Sequence, residues 1–335
     1  ALFFLGAGCE ATKTLPPGGI WMSEDGGEMW TQRIFVDEVG KKVRTIGDLS
    51  ILTMEIDPQN PETFYLGTNA GVFRSDNRGI QWTQTGLKSG FVANLTLDPQ
   101  SRGVLYATAE SKIYKTGNSG ETWEVIYIDP QGQIVRDIEV DRQNPQKITA
   151  INKGGVVLQS LDAGTNWNIV EEFKTELIQL VVHPDLPATL FAIARGRGFR
   201  VSRDGGQAWQ EVLELSSEVK HSGDIRSFVV DPNNPAVLYA GTTQGLFRSE
   251  DGGQTWKFLD TLVPRGTKPI EHFVVNSENA QILYFEVDNV VHKSTDRGVT
   301  WKTIETYQRL RPIQWIQIHP LDSNEVYTGT IIPSK

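Results

Sequence analysis

Seven related segments of this sequence place polar side chains at matched positions, and those side chains are the best candidates for chemistry. Each segment is a short apolar run, such as ILTMEI or IEHFVV, that ends at an Asp, Asn or His turn residue. Four and five positions before the turn residue stand Arg136, Asp137, Arg226, Glu271, His272 and Trp315. Asp137 and Glu271 could supply the acid and base of glycoside hydrolysis, and Trp315 could stack on a sugar ring.

The same residues have a simpler explanation. Solvated polar side chains commonly line a water-filled channel without binding a ligand, and the two carboxylates come from segments three repeats apart. We therefore assign no catalytic residue. A turn with the sequence ARGRG adds two further arginines to the set. The candidates for ligand or partner binding are Arg136, Asp137, Arg195, Arg197, Arg226, Glu271, His272 and Trp315.

The composition argues against several classes of protein. The chain has 335 residues and a net charge of −9, whereas a duplex-binding protein normally carries a basic excess. Its single cysteine excludes an internal disulfide and a cysteine-based zinc cluster. The five histidines lack a His-x-x-x-His spacing, and no Gly-rich phosphate loop precedes a helix. The sequence therefore predicts no metal, no cofactor and no nucleic acid partner.

One eight-residue phrase, Ser-x-Asp-x-Gly-x-x-Trp, recurs seven times. Its final tryptophans lie 52, 41, 44, 42, 47 and 45 residues apart. Asp or Asn at the third position can hydrogen-bond the backbone two residues on, and Gly at the fifth can adopt a positive φ. The phrase therefore predicts a tight turn with a structural role. Its third-position residues are Asp25, Asn77, Asn118, Asp162, Asp204, Asp251 and Asp296.

The phrase joins the last two of four predicted strands, which we call A to D. Runs such as GLFRS (strand C) precede it, runs such as VLYAGT (strand B) precede those, and the apolar segments described above (strand A) come first. Turns such as DPNNP connect A to B. Four-stranded units in seven copies are typical of a β-propeller. The predicted fold class is therefore all-β, a seven-bladed β-propeller.

The two ends of the sequence match complementary parts of one blade. GGIWMS matches strand C and leads into the first phrase and its strand D, whereas PIQWIQIHPLDSNEVYTGT matches strands A and B. We therefore predict a composite blade, with C and D from the N-terminus and A and B from the C-terminus, that closes the ring without an open sheet edge. Residues 17–335 then form one propeller domain.

Residues 1–16 are interpreted as a signal-peptide remnant or lipoprotein tether. The apolar run in ALFFLGAGCE ends in small residues and Cys9, which is typical of a bacterial lipoprotein signal in which the cysteine becomes lipidated. An ordinary secretory segment or a disordered apolar end would fit as well. The sequence thus predicts an extracytoplasmic protein, periplasmic or at the cell surface, that is held at the membrane only through a lipid on Cys9.

The repeated phrase resembles the Asp-box, or BNR repeat, of sialidase-like propellers, in which these boxes lie on the outer rim and are structural. The Arg-Ile-Pro motif of sialidases is missing. Xyloglucan-degrading endoglucanases are similar in their turns, but one of their catalytic aspartates lies in a B–C turn where this sequence has Asn69, which cannot act as a carboxylate base. The overall resemblance is greatest to the single-propeller family of photosystem II stability/assembly factors, which are exported and bind other proteins.

Function is expected on the face formed by the D–A and B–C connections. The D–A connections are long and irregular, and variable loops on a regular scaffold usually carry binding sites. The resemblance implies a non-enzymatic scaffold that binds a protein partner through this face. The alternative is a glycoside hydrolase or carbohydrate-binding propeller that uses the mouth of the central channel.

Overall fold

The computed structural model describes residues 16–40, 42–217, 219–304 and 311–333. Cys9 and the other residues before Pro16 lie outside this range, so the export prediction is untested. Within the described residues there are strands and turns but no helix, and hence no helix able to cross a membrane. Seven four-stranded antiparallel sheets form the blades of a propeller, which confirms the predicted fold class.

Six of the seven described blades follow the chain order A to D. Blade 2 comprises β5 (Ile51–Ile56), β6 (Phe64–Thr68), β7 (Gly71–Ser75) and β8 (Thr83–Gln84). Blade 3 comprises β9 (Val92–Leu97), β10 (Leu105–Ala109), β11 (Lys112–Thr116) and β12 (Glu124–Ile128). Blade 4 comprises β13 (Val135–Val140), β14 (Ile148–Asn152), β15 (Val156–Ser160) and β16 (Asn168–Glu172). Blade 5 comprises β17 (Leu177–Val182), β18 (Leu190–Ala194), β19 (Phe199–Ser202) and β20 (Gln210–Val212). Blade 6 comprises β21 (Ile225–Val230), β22 (Leu238–Thr242), β23 (Gly245–Ser249) and β24 (Lys257–Leu259). Blade 7 comprises β25 (His272–Val275), β26 (Leu283–Val287), β27 (Val290–Ser294) and β28 (Lys302–Ile304).

Blade 1 combines strands from both ends of the described chain. Its sheet order is β29 (Ile313–His319), β30 (Asp322–Thr330), β1 (Ile20–Ser23) and β2 (Thr31–Gln32). The innermost strand β29 packs against β25 of blade 7 and β5 of blade 2. Whether this shared sheet is what holds the ring closed stays a prediction, and truncation would test it.

The hydrophobic core lies between neighbouring blades. Three positions before the turn residue, every strand A carries a buried apolar side chain: Met54, Leu95, Ile138, Leu180, Phe228, Phe273 and Ile316. Phe228 of blade 6 packs against Phe191 and Phe199 of blade 5, with ring centroids 5.1 and 5.3 Å away. Each blade therefore buries its apolar face against the next, which fixes the seven A strands around a central axis.

The Asp-boxes form the C–D turns that the sequence predicts. In the first copy the Ser23 hydroxyl donates to Asp25 Oδ1 at 2.7 Å and accepts the Gly27 amide at 2.7 Å, and the Met29 amide donates to Asp25 Oδ1 at 2.9 Å. The other six copies, including the two with Asn, repeat all three bonds. The fifth-position glycines have φ between +77° and +104°. These bonds occupy the Asp and Asn side chains with the turn itself.

A short hairpin is inserted between blades 1 and 2. It consists of β3 (Phe35–Val39) and β4 (Lys42–Thr45), and it changes the neighbouring Asp-box. In six described copies the final Trp indole donates to the box glycine carbonyl, as Trp30 does to Gly27 at 3.0 Å. Trp82 instead donates its indole N–H to the Arg33 carbonyl and its amide to the Phe35 carbonyl, at 3.0 and 2.9 Å.

A girdle of hydrogen bonds joins the A–B turns of successive blades. In five junctions a Gln, Asn or Ser side chain donates to a carbonyl of the next blade: Gln59 to Pro99, Gln100 to Arg142, Gln143 to Asp185, Asn233 to Asn276 and Ser277 to Pro320. In the other two, His183 and His319 replace the Asp or Asn turn residue. Their Nδ1 atoms accept turn amides, which leaves Nε2–H to donate to Pro235 and Pro61 at 3.1 and 3.0 Å.

Candidate functional site

The seven A strands surround a central cavity of about 900 Å³, and each contributes to its lining. Seven of the eight predicted site residues line this cavity: Arg136, Asp137, Arg195, Arg226, Glu271, His272 and Trp315. Arg197 is the exception: it is an exposed residue of the same B–C turn as Arg195 but is not part of the lining. The Asp-box acids and amides lie outside the lining. The predicted residues thus share one cavity, and their role in binding stays a prediction.

A β-bulge recurs near the start of strand A in six of the described blades. In each case the residue five positions before the turn has no partner on strand B, as at Arg136, where the register passes from Val135–Asn152 to Asp137–Ile151. A bulge locally breaks the alternation of side chains between the two faces of a strand. The fifth-position side chains Arg136 and Arg226 are partly exposed at the channel, whereas the fourth-position side chains beside them, Asp137 and Ser227, are buried.

The fourth-position side chains link one blade to the next. Asp137 is buried: its Oδ1 accepts the Asn94 amide of blade 3 at 2.7 Å, and its Oδ2 accepts the Leu180 backbone amide of blade 5 at 2.8 Å. Gln179 exchanges two 3.0 Å hydrogen bonds with the Phe228 backbone of blade 6. Ser227 donates to Ile270 at 3.2 Å. These residues consequently have a structural role that is independent of any ligand.

His272 and Trp315 occupy the same column in blades 7 and 1. Burial lowers the pKa of His272 to about 4, with a partly compensating hydrogen bond to the Ile313 backbone, so the imidazole is neutral at pH 7. Trp315 lies over Gly329, where an added Cβ would come within 2.3 Å of the indole ring. The indole ring therefore occupies the space that a side chain at position 329 would need.

The three predicted arginines that line the cavity differ in how they are paired. Arg195 forms an ion pair with Glu176 at 2.9 Å, and Arg226 forms one with Asp224 at 3.2 Å. Arg136 has no ion-pair or hydrogen-bond partner for its side chain among the described residues. Exposed Glu271 is likewise unpaired within the described range. Of these three, Arg136 is therefore the guanidinium most available to an incoming anionic group.

Sequence reasoning missed two carboxylates deeper in the propeller, Glu55 and Glu139. Both lie two positions before their turns, and Glu139 lines the cavity. Burial raises the pKa of Glu55 to about 8, against a weaker opposite effect of Arg142, and raises the pKa of Glu139 well above its ordinary value. Strand alternation places this position on the channel side, so extending the alignment by two residues would have found them.

Replacing Glu55 by Gln is expected to stabilise the protein at alkaline pH. Because the pKa of Glu55 is raised from 4.5 to about 8 on folding, the folded state binds the extra proton and the free energy of unfolding falls as pH rises through this window, by about 1.4 kcal/mol per unit at most. Gln carries no such penalty. Urea unfolding from pH 4 to 9 should give a flatter profile for Glu55→Gln and a parental profile for exposed Glu124→Gln; parallel profiles would contradict this prediction.

The two halves of the channel mouth differ in character. Blades 4 to 6 contribute Arg136, Arg195 and Arg226, which we call the arginine arc. Blades 1 to 3 and their adjoining loops contribute side chains that we call the apolar wall: Leu52, Phe91, Ala93, Trp315, Ile331 and Ile332. Phe91 and Ile332 are 48% and 42% exposed. The mouth therefore offers cationic and apolar surfaces on opposite sides.

Two further observations bear on catalysis. Asn69, where xyloglucan-degrading enzymes place an aspartate, accepts the Ser50 amide through Oδ1 at 3.0 Å, so it holds the B–C turn against the D–A loop. Across the described residues no three His, Cys, Asp or Glu side chains are grouped as metal ligands would be.

These features define a single seven-bladed Asp-box propeller with a polar channel mouth. Residues 18–283 match the family described as photosynthesis system II assembly factor YCF48, and the chain belongs to that family. YCF48 from Cyanidioschyzon merolae superposes with a TM-score of 0.66 at 13% identity, over 84% of this chain and 96% of that one. YCF48 bound to a D1 peptide gives 0.65 at 16% identity, over 86% and 94%.

Xyloglucanases are also similar to this chain. Xyloglucanase Xgh74A of Acetivibrio thermocellus is 24% identical over 284 residues, which cover 76% of this chain but only 30% of the enzyme. The GH74 xyloglucanase of Xanthomonas campestris superposes with a TM-score of 0.68 at 16% identity, over 88% of this chain and 54% of the enzyme. At this identity the structural likeness establishes the fold alone.

Proposed function

We propose that this chain is a non-enzymatic scaffold that binds a protein partner through its D–A/B–C face. The observation that carries the proposal is the state of the polar side chains at the channel mouth. Arg136 is presented by a bulge without a partner, whereas both oxygens of Asp137 are occupied by the neighbouring blades. A guanidinium free to bind, next to a carboxylate that is not free to react, favours recognition over hydrolysis.

Membership of the YCF48 family supports a partner that is itself a protein. One family structure carries a peptide in complex, and the propeller of the present chain covers nearly the whole of that protein. The long D–A connection of residues 213–224 leads into β21, which carries Arg226 of the arginine arc, as expected for a recognition surface on a rigid scaffold.

The double variant Arg136→Ala/Arg226→Ala is expected to lose partner binding by tenfold or more. Two cationic groups would be removed from the mouth, and a charge-assisted hydrogen bond contributes more than a neutral one. Quantitative pull-down from a membrane extract of the source organism would measure the loss. Arg102→Ala/Arg203→Ala, which removes the same charge from A–B and C–D turns, serves as control. Equal recovery with both variants, at equal melting temperature, would overturn the proposal.

We also propose that the protein is exported and anchored by a lipid on Cys9, as the run LFFLGAGC indicates. Expression in a bacterial host with labelled palmitate should label the parent protein and leave Cys9→Ser unlabelled. Label that persists in Cys9→Ser, or is missing from the parent protein, would remove the anchor from the proposal.

A carbohydrate-active function is the second candidate. The similarity to xyloglucanases favours it, together with Glu271 and Trp315 in the lining of one cavity. A panel of xyloglucan and β-glucan oligosaccharides, assayed both for cleavage and for binding, separates a hydrolase from a lectin. If the panel shows neither turnover nor binding at millimolar concentration, the carbohydrate-active candidate is excluded and only the protein-binding proposal remains.

A further inference from the structure

We propose that the channel mouth recognises one amphipathic peptide segment, with acidic side chains on one side and a bulky apolar side chain on the other. This inference rests on the proposed protein-binding function and specifies the chemistry of the partner. It follows from the opposite placement of the arginine arc, on blades 4 to 6, and the apolar wall, on blades 1 to 3.

A site that bound its partner through charge alone would not need the apolar wall. Phe91 precedes β9 and remains 48% exposed, and Leu52, at the bulge of β5, lines the same cavity. Covering an exposed aromatic side chain removes a large apolar area from water. An aliphatic or aromatic side chain of the partner is the natural group to cover it.

The arginine arc defines the other side of the occupant. Arg136 is unpaired within the described residues, and Arg195 and Arg226 each have one carboxylate partner, Glu176 and Asp224. An Asp, a Glu or a chain-terminal carboxylate would form charge-assisted hydrogen bonds there. Glu271, from the loop before β25, makes the blade 7 edge unfavourable for the same groups.

The interior of the channel confines such a segment to the mouth. Glu139 lies three residues further along its strand than Arg136, a distance of about 10 Å at the usual rise per residue. A carboxylate that moved inward would leave the arginine arc and lie beside the buried carboxyl group of Glu139, which supplies no cation and whose pKa burial raises well above its ordinary value. The segment should therefore lie across the mouth rather than thread through the propeller.

Selection from a random twelve-residue phage-displayed library on the immobilised protein would test this inference. We expect enriched peptides to combine Asp or Glu with Leu, Ile, Phe or Trp. The best peptide, synthesised and measured by fluorescence anisotropy, should lose about tenfold affinity, or about 1.4 kcal/mol, with Phe91→Ser and again with Arg136→Ala. Val299→Ser, at a 77% exposed Asp-box residue, and Arg102→Ala serve as matched controls and should bind normally.

The possible failures are distinguishable. Acidic peptides without an apolar preference, or unchanged affinity with Phe91→Ser, would overturn the amphipathic inference while the protein-binding function stands. Enrichment of basic or purely apolar peptides would overturn it as well, because such peptides have no acidic side chain to bind the arginine arc. Failure to enrich any peptide that depends on Arg136 would count against both this inference and the proposed function.

Discussion

Removing the chain from Pro312 onward is expected to abolish cooperative unfolding rather than to lower stability slightly. The truncation takes β29 and β30 from blade 1, so that Ile20–Ser23 loses the strand with which it pairs from Ile20–Gly329 to Ser23–Val326. The remaining β1–β2 hairpin has two-residue pairing, and an isolated hairpin is marginally stable at best. The apolar faces of blades 2 and 7 would be exposed together with open sheet edges.

Circular dichroism and calorimetric melts of the truncated protein would measure this effect. A deletion of residues 1–15 is the control, because the first strand begins at Ile20 and the Pro16 carbonyl, which accepts from Gln32, is retained. Its melting temperature should stay close to that of the parent. A C-terminal truncation that still melts cooperatively near the parental temperature would show that the shared sheet is dispensable for closure.

Asp137→Ala is expected to lower the free energy of unfolding by about 3 kcal/mol or more, because three donors lose their acceptor and each unsatisfied buried group costs about 1–3 kcal/mol. The donors are the Asn94 amide, the Leu180 backbone amide and the Ile138 backbone amide, at 2.7, 2.8 and 2.9 Å. Urea unfolding at pH 4 would measure the loss apart from the cost of ionising a buried carboxylate, because burial raises the pKa of Asp137 to about 7. This effect requires no ligand, so it distinguishes a structural carboxylate from a catalytic one.

Two further variants sharpen the interpretation of Asp137. Asp137→Asn keeps one acceptor oxygen but places its NH₂ group against one of the donors. It should therefore lower the free energy of unfolding by at least about 1 kcal/mol less than Asp137→Ala does. Asp260→Ala, at an exposed carboxylate, should change stability by no more than about 0.5 kcal/mol. If Asp137→Ala were as mild as Asp260→Ala, the blade-to-blade role of Asp137 would be wrong.

Much of the architecture was accessible from the sequence because its signals are local. An Asp-box needs only a hydroxyl, an Asp or Asn and a glycine within five consecutive residues. In the first copy, the hydrogen bonds made by Ser23 and Asp25 join residues at most four positions apart. Strand patterns repeat at a blade-sized interval, so the number of blades could be counted. Long loops also led us to expect binding at the D–A/B–C face, and that expectation stays a prediction.

The candidate site was predictable in place but not in detail. Alignment of the A strands brought Arg136, Arg226, Glu271 and His272 to one channel, and the structure places all four in its lining. It did not separate Arg136, which has no partner among the described residues, from Asp137 beside it, which has three donors. In the sequence the two are adjacent polar residues, at the fifth and fourth positions before the turn.

The difference arises because the partners of these side chains are distant in the chain. Asn94 is 43 residues from Asp137, and Phe228 is 49 residues from Gln179. A repeat of that length shows which blades are neighbours. The hydrogen bonds, however, depend on how closely the blades pack and on a bulge that leaves one residue unpaired in six of the described A strands. Local turn chemistry therefore determined the blades, and the packing between blades alone decided which polar side chains hold the ring together and which remain free to bind.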